Sequence, residues 1–194
     1  MNKKPIGELA DIMVGLVLKR KEAGIADNAR FHYMALTLRC LNSEGWIDEA
    51  YLDEFESSEK LDSRYLTLEG DIVVKMTTPY TAVAINKDTS GCVVPAQFII
   101  VRVKEKVVPG YIALYLNTDK IRKHIALSAT GMTVPMLKTG TIKDLEIPLL
   151  EYDRQLKIAE VGRLMVEERH LLTKLVNTKE KYNQALIEAL IKED

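Results

Sequence analysis

The sequence predicts an α+β protein: one mixed, antiparallel-strand-rich domain over residues 1–150, then one long C-terminal α-helix of coiled-coil type over residues 151–194. Three observations carry this. Short apolar runs (IVVKM, TAVAI, VVPAQFIIVRV) alternate with turn residues but lack a regular strand–helix–strand rhythm. One internal run, PGYIALYLNTDKIRKHIALSA, has helical spacing and opens on a proline suited to the first helical position. From Glu151 onward the chain has no proline and only Gly162 to interrupt a helix.

In chain order, IGELADIMVGLVLKRKEAGIAD reads as a short helical turn and then a strand over Met13 to Leu18, ended by Lys19-Arg20-Lys21. Asn28 to Leu41 alternates around Tyr33, Ala35, Thr37 and Arg39, as a strand does. Asn42 to Gly45 is a turn, and residues 47–69 are acidic, with a short helix expected before YLTLEGD. Gly70-Asp71 turns into the strand IVVKM, and TAVAI and VVPAQFIIVRV are strands flanking the turn NKDTSG. Residues 109–129 are expected to form one partly buried helix through Ile112, Leu114, Leu116, Ile121 and Ile125, ended by Gly131. The segment GMTVPMLKTGTIKDLEIP is turn-rich, and Leu149-Leu150 leads into the last helix.

Positions alternately four and three residues apart from Val161 are Val161, Met165, Glu168, Leu172, Leu175, Lys179, Tyr182, Leu186 and Ala189, of which seven are apolar. This is a coiled-coil-like seam. Forty residues span roughly 60 Å of helix, against a radius of gyration of roughly 15 Å for a domain of this size. The seam is therefore expected to be covered by another helix, from a second copy or a partner.

With 47% hydrophobic and 28% charged residues the chain reads as globular. Its apolar runs are far short of the ~20 residues of a membrane span, and MNKKPIGELADI lacks the apolar core of a signal peptide. Cys40 and Cys92 read as reduced cysteines of a cytoplasmic protein. The net charge is −1, with 19 Lys/Arg against 19 Asp/Glu in residues 1–150 and 8 against 9 in residues 151–194. A nucleic-acid reading thus requires local clustering of cations and help from partners.

No catalytic constellation is apparent. His32, His124 and His170 are isolated from other ligands, no metal site is expected, and no phosphate-loop, dinucleotide or nucleophile-elbow motif occurs. Asp71 reads as a turn residue. What remains are polar and basic clusters suited to phosphates and base edges: Lys19, Arg20 and Lys21 with Arg30; Lys75, Thr77, Thr78 and Tyr80; and Lys120, Arg122 and Lys123 with Thr130 and Thr133.

Several segments, in order, resemble the DNA-specificity (S) subunit of type I restriction-modification systems. IGELADI resembles its opening motif, YLTLEGDIVVKM and VVPAQFIIVRV resemble its central strands, and PGYIALYLNTDKIRKHIALSATGMTVPMLKTGTIKDLEIPLL resembles the end of a target recognition domain. EYDRQLKIAEVGRLM is similar to the start of the family's long helix, with Arg154-Gln155 and Ile158 in its pattern. The chain departs in lacking a glycine in the loop Lys75 to Tyr80, in having Leu149-Leu150 where two prolines are usual, and in length: it has room for one recognition domain and one helix, where the family has two of each. The resemblance implies a non-catalytic half-subunit that binds double-stranded DNA, homodimerises through its helix (Val161, Met165, Leu172, Leu175, Tyr182, Leu186, Ala189), and directs methyltransferase subunits, with a restriction subunit as a further partner. It implies no cofactor on this chain, S-adenosylmethionine belonging to the methyltransferase. The alternative is a non-catalytic adaptor, or a recombination-cassette remnant of the same fold.

Overall fold

The computed structural model describes residues 2–23, 29–104, 106–129 and 135–192. A four-stranded antiparallel sheet forms its centre, built from β2 (Ala10–Val14), β7 (Phe98–Val103), β5 (Asp71–Lys75) and β6 (Ala82–Ala84), in that order across the sheet. Both faces are buried, which is why the central strands read as unbroken apolar runs. Ile72, Val74, Ile99 and Val101 point to one core with Tyr111, Ile112, Leu116, Ile121, Ile125 and Ile142. Val73, Phe98 and Ile100 point to a second core with Leu36, Leu41 and Val94. A separate hairpin, β3 (Phe31–Ala35) with β4 (Asp53–Ser57), covers a third cluster around Leu16, Phe55, Leu61 and Val93.

β4 corrects the expectation of a helix in the acidic stretch. Phe55 and Ser57 point inward while Glu54 and Glu56 face out, the two-residue period of a half-buried strand, and Asp53 is exposed at its start. The helical parts of residues 47–69 are two one-turn 3₁₀ segments, Glu49–Tyr51 and Ser63–Tyr65, on either side of β4.

The single helix expected over residues 109–129 is two helices, α2 (Pro109–Leu116) and α3 (Asp119–Ser128). The break has a cause in the sheet. Ala82 sits on the free edge of β6, and Asn117 leaves the helix to satisfy it: Ala82 N–H donates to Asn117 Oδ1 at 2.9 Å, and Asn117 Nδ2 donates to the Ala82 carbonyl at 2.7 Å.

The strand expected over residues 93–103 starts only at Phe98. Before it, the Val94 carbonyl accepts from Leu16 N–H and Ala96 N–H donates to the Leu16 carbonyl. β2 correspondingly stops at Val14, not Leu18. Gly15 follows, and a Cβ there would lie 2.2 Å from the Pro95 carbonyl oxygen. The strand expected across residues 28–41 ends at Ala35, where Leu36 N–H turns to the Val93 carbonyl.

The turn-rich segment contains α4 (Thr139–Asp144) and β8 (Glu146–Pro148), and β8 pairs with β1 (Lys3–Pro5). α1 (Ile6–Leu9) is the short helical turn expected before β2.

Asp71 and Arg102 face each other across β5 and β7 and form a bidentate pair at 2.9 and 2.7 Å. Leu68 N–H also donates to Asp71 at 2.9 Å, so this 2% exposed carboxylate is fully engaged. Its hydrogen bonds and charge push the Arg102 pKa up.

The long helix, α5, runs from Tyr152 to Lys192. Among the described residues, no helix is long and apolar enough to cross a membrane.

Candidate nucleic-acid interface and partner helix

Strand direction gathers two of the predicted clusters. β2 and β5 both pair antiparallel with β7, so their C-terminal ends lie together: Val14 and Val74 both face Ile99. Lys19, Arg20 and Lys21 follow β2; Lys75 ends β5, and Thr77 and Thr78 follow it. These residues therefore sit at one end of the sheet.

Their surroundings differ. Lys19 and Arg20 are exposed on the 3₁₀ turn Leu18–Arg20, whereas Lys21 is paired with Glu59. Arg30 is exposed, with its backbone N–H on the Ser57 carbonyl. Lys75 is half-buried and its Nζ donates to the Leu38 carbonyl at 2.8 Å. Burial pushes its pKa down, against an opposing effect of Cys40. Thr77 is half-buried and Thr78 exposed.

Tyr80 departs from the sequence reading. It is 5% exposed and belongs to the same core as Ile72 and Val74, so its ring is not a surface group. Lys120 and Lys123 are exposed on α3, but Arg122 turns inward and donates to the Ser43 carbonyl and to Asn117 Oδ1, both at 3.0 Å. Thr130 and Thr133 lie outside the described residues.

The structure adds a group that no sequence pattern marks. The Arg39 guanidinium lies 4.4 Å from the Tyr51 ring centroid, and Thr37 Oγ1 donates to the Tyr51 carbonyl at 2.7 Å. Thr37, Leu38 and Arg39 adjoin Lys75 through its bond to Leu38. Asp48, Glu49 and Asp53 flank Tyr51. This end of the sheet thus offers donors and acceptors together, a mixture suited to base edges more than to phosphates alone.

α5 has two unlike faces. Gln155, Ala159, Gly162, Val166 and His170, spaced four, three, four and four residues apart, form the stripe against the domain. Gln155 is buried and ties both sides of the junction: its Oε1 accepts from Val108 N–H at 3.0 Å and its Nε2 donates to the Leu150 carbonyl at 2.8 Å. A Cβ on Gly110 would lie 3.1 Å from Ala159 Cβ, so α2 and α5 approach closely. The last residue of the stripe is His170, whose ring meets Trp46 edge-on at 4.9 Å between centroids. Every residue from Leu171 to Lys192 is exposed.

The predicted seam lies on the uncovered part of the circumference. Val161, Met165, Leu172, Leu175, Tyr182, Leu186 and Ala189 are all exposed, and Leu164, Leu171, Val176, Ile187 and Leu190 widen the stripe. So continuous an apolar surface is unusual on a soluble monomer.

No protein-family model and no curated protein matches the chain. Solved structures do. A chain from a structure described as the basis of complex assembly and conformational transition of the type I R-M system matches with a TM-score of 0.65 at 16% identity, over 88% of this chain and 43% of its own length. The HsdS subunit from Thermoanaerobacter tengcongensis matches at 0.63 and 17% identity, over 88% and 43%. The type I restriction-modification S subunit from M. genitalium matches at 0.56 and 15%, over 93% and 42%. At these identities the likeness is one of fold: a mixed domain with antiparallel sheets and a long C-terminal helix. This chain spans less than half the length of each.

Proposed function

We propose that the chain is a half-size DNA-specificity subunit of a type I restriction-modification system. The observation that carries the reading is the pairing of one S-subunit-like fold unit, at 43% of the length of the HsdS match, with a helix whose apolar stripe is uncovered by its own domain. Two copies supply what one lacks. Their helices pack stripe to stripe in antiparallel sense, and a two-fold axis sets the two recognition domains apart facing the same duplex. Two identical domains then read two identical half-sites in opposite orientation, separated by a spacer that neither touches.

In this reading the sheet end bearing Lys19, Arg20, Arg39, Lys75 and Thr78 faces the DNA, Lys and Arg answering phosphates and the Arg39–Tyr51 ridge a groove. The balance of charge in residues 1–150 means that the affinity depends on partners that contribute further positive surface. Methyltransferase subunits, with S-adenosylmethionine, carry out the chemistry, and a restriction subunit joins the same complex. The chain supplies the address, is not itself an enzyme, and works in the cytoplasm.

The test is a genome-wide map of methylated bases with and without the gene, in a cell carrying the methyltransferase subunits. The expected result is a split palindromic motif whose methylation disappears with the gene. An unchanged map would overturn the proposal in favour of an adaptor or a silent remnant of the same fold.

A further inference from the structure

The α2–α5 packing holds the long helix over a short span. From Gln155 to Gly162 is seven residues, about 10 Å of helix. The thirty residues from Gly162 to Lys192 form a lever of roughly 45 Å. A swing of about 10° at Gly162 would carry its far end roughly 8 Å, more than two base-pair rises of about 3.4 Å. A junction held only by α2 would be a poor ruler.

The loop Asn42–Ile47 supplies a second hold, one helical turn and more beyond the first. Glu44 forms an ion pair with Arg169. Trp46 meets His170 edge-on at 4.9 Å between ring centroids. Gly45 lies beside Val166: a Cβ built on it would be 3.7 Å from Val166 Cγ2. The loop is itself braced. Asn42 N–H donates to the Trp46 carbonyl at 2.9 Å, Asp48 N–H to the Cys40 carbonyl at 2.7 Å, and Arg122 of α3 holds the Ser43 carbonyl at 3.0 Å. Arg122 also grips Asn117, which closes the β6 edge. The helix is thereby linked to the central sheet along the chain His170–Trp46, Ser43–Arg122, Asn117–Ala82.

We propose that the loop Asn42–Ile47 is a clasp that fixes the angle between the domain and the long helix and, resting on the specificity-subunit reading above, sets the number of unread base pairs between the two half-sites. Glu44, Trp46, Arg122, Arg169 and His170 are its positioning residues. They need touch no DNA. The clasp extends the fixed part of α5 from about 10 Å to about 22 Å, from Gln155 to His170.

The experiment has two readings on the full-length chain. For the first, spin labels are placed at Lys87→Cys on the domain and Lys181→Cys on the helix, with labelled chain diluted into unlabelled chain. Their distance distribution is measured in the parent, in Glu44→Gln, in Trp46→Leu, and in the charge swap Glu44→Arg with Arg169→Glu. The parent should give one narrow distance, the first two variants a broader one, and the swap should narrow it again. Equal widths throughout would overturn the clasp.

The second reading is the methylated-base map of the same variants. Methylation at sites with spacers one base pair longer or shorter should rise about two- to fivefold in Glu44→Gln, the range an exposed ion pair can supply. The half-site sequence itself should not change. A broadened distance with an unchanged spacer would overturn the clasp's role as a ruler. A map in which no methylation depends on the gene would overturn the specificity reading instead, and the distance measurement would still decide whether the clasp fixes the helix.

Discussion

A Cβ built on Gly162 of the long helix would lie 2.1 Å from Leu114 Cδ1 and 2.7 Å from its Cγ. The only glycine in the 41-residue helix is therefore the point where α2 presses into it. Gly162→Ala should come out near neutral, because about 1 kcal/mol of helix propensity offsets part of the overlap. Gly162→Val gains only roughly a few tenths of a kcal/mol of propensity against a larger overlap, and should destabilise by about 1–3 kcal/mol. Thermal unfolding should show a drop of about 2–4 °C per kcal/mol, and adding Leu114→Ala should recover most of it. An unchanged Tm for Gly162→Val would mean that the two helices do not meet as described.

Asp71 and Arg102 are each other's counter-charge between two central strands. Asp71→Ala leaves the Leu68 N–H without its acceptor and the guanidinium with only the Leu66 carbonyl and no counter-charge. Breaking a fully buried pair costs about 3–5 kcal/mol. Because the Arg102 side chain is 24% exposed, the expected destabilisation is nearer the lower end, about 3 kcal/mol. Replacing both residues with leucine should cost less than the single change. Urea titration of the three variants checks the order, and a single variant as stable as the parent would refute it.

Cys40 and Cys92 are buried in the second core, and burial pushes both thiols up from their ordinary pKa. The thiolate is the reactive species. At pH 8 a thiol-specific reagent should therefore label the folded chain far more slowly than the unfolded chain, with a rate that follows unfolding as urea is added. Prompt labelling in the absence of denaturant would contradict this burial.

Leu172 and Leu175 lie beyond the part of α5 that packs on the domain and are 56% and 54% exposed. Changing both to Asp should leave the domain's unfolding unaltered. If the stripe is the dimer surface, the same change buries two carboxylates among apolar groups at a cost of several kcal/mol. Sedimentation should then show a monomer. A persisting dimer would place the interface elsewhere.

Lys19 and Arg20 are exposed, while Lys21 is held by Glu59. Neutralising each in turn should weaken duplex binding unequally. A cation that neutralises one phosphate adds about one to the slope of log K against log salt, so its removal should flatten the slope by that amount. This flattening is expected for Lys19 and Arg20, and a smaller one for Lys21. Equal, negligible effects at all three would remove this end of the sheet from the interface.

The long helix was legible in the sequence because one property decides it: about forty residues with no proline, a single glycine, and an apolar residue every three or four. The same holds for β5 and β7, whose unbroken apolar runs reflect burial on both faces. β4 was not legible, because its inward residues are only Phe55 and Ser57 among acids, and its outward positions resemble a solvated helix. Nor was the break between α2 and α3: Asn117 is an ordinary helix residue until the edge of β6 is brought beside it.

For the candidate site, amino-acid order was enough to say which residues could carry charge or hydrogen bonds, since those are properties of single side chains. Which of them are available was settled by the folded chain. Folding turned Tyr80 and Arg122 inward, paired Lys21, stacked Arg39 on Tyr51 twelve residues away, and wrapped the loop at Trp46 onto a helix more than a hundred residues later. The physical reason is that local spacing governs which face of an element is apolar, whereas exposure and pairing depend on neighbours that chain topology brings together from far apart.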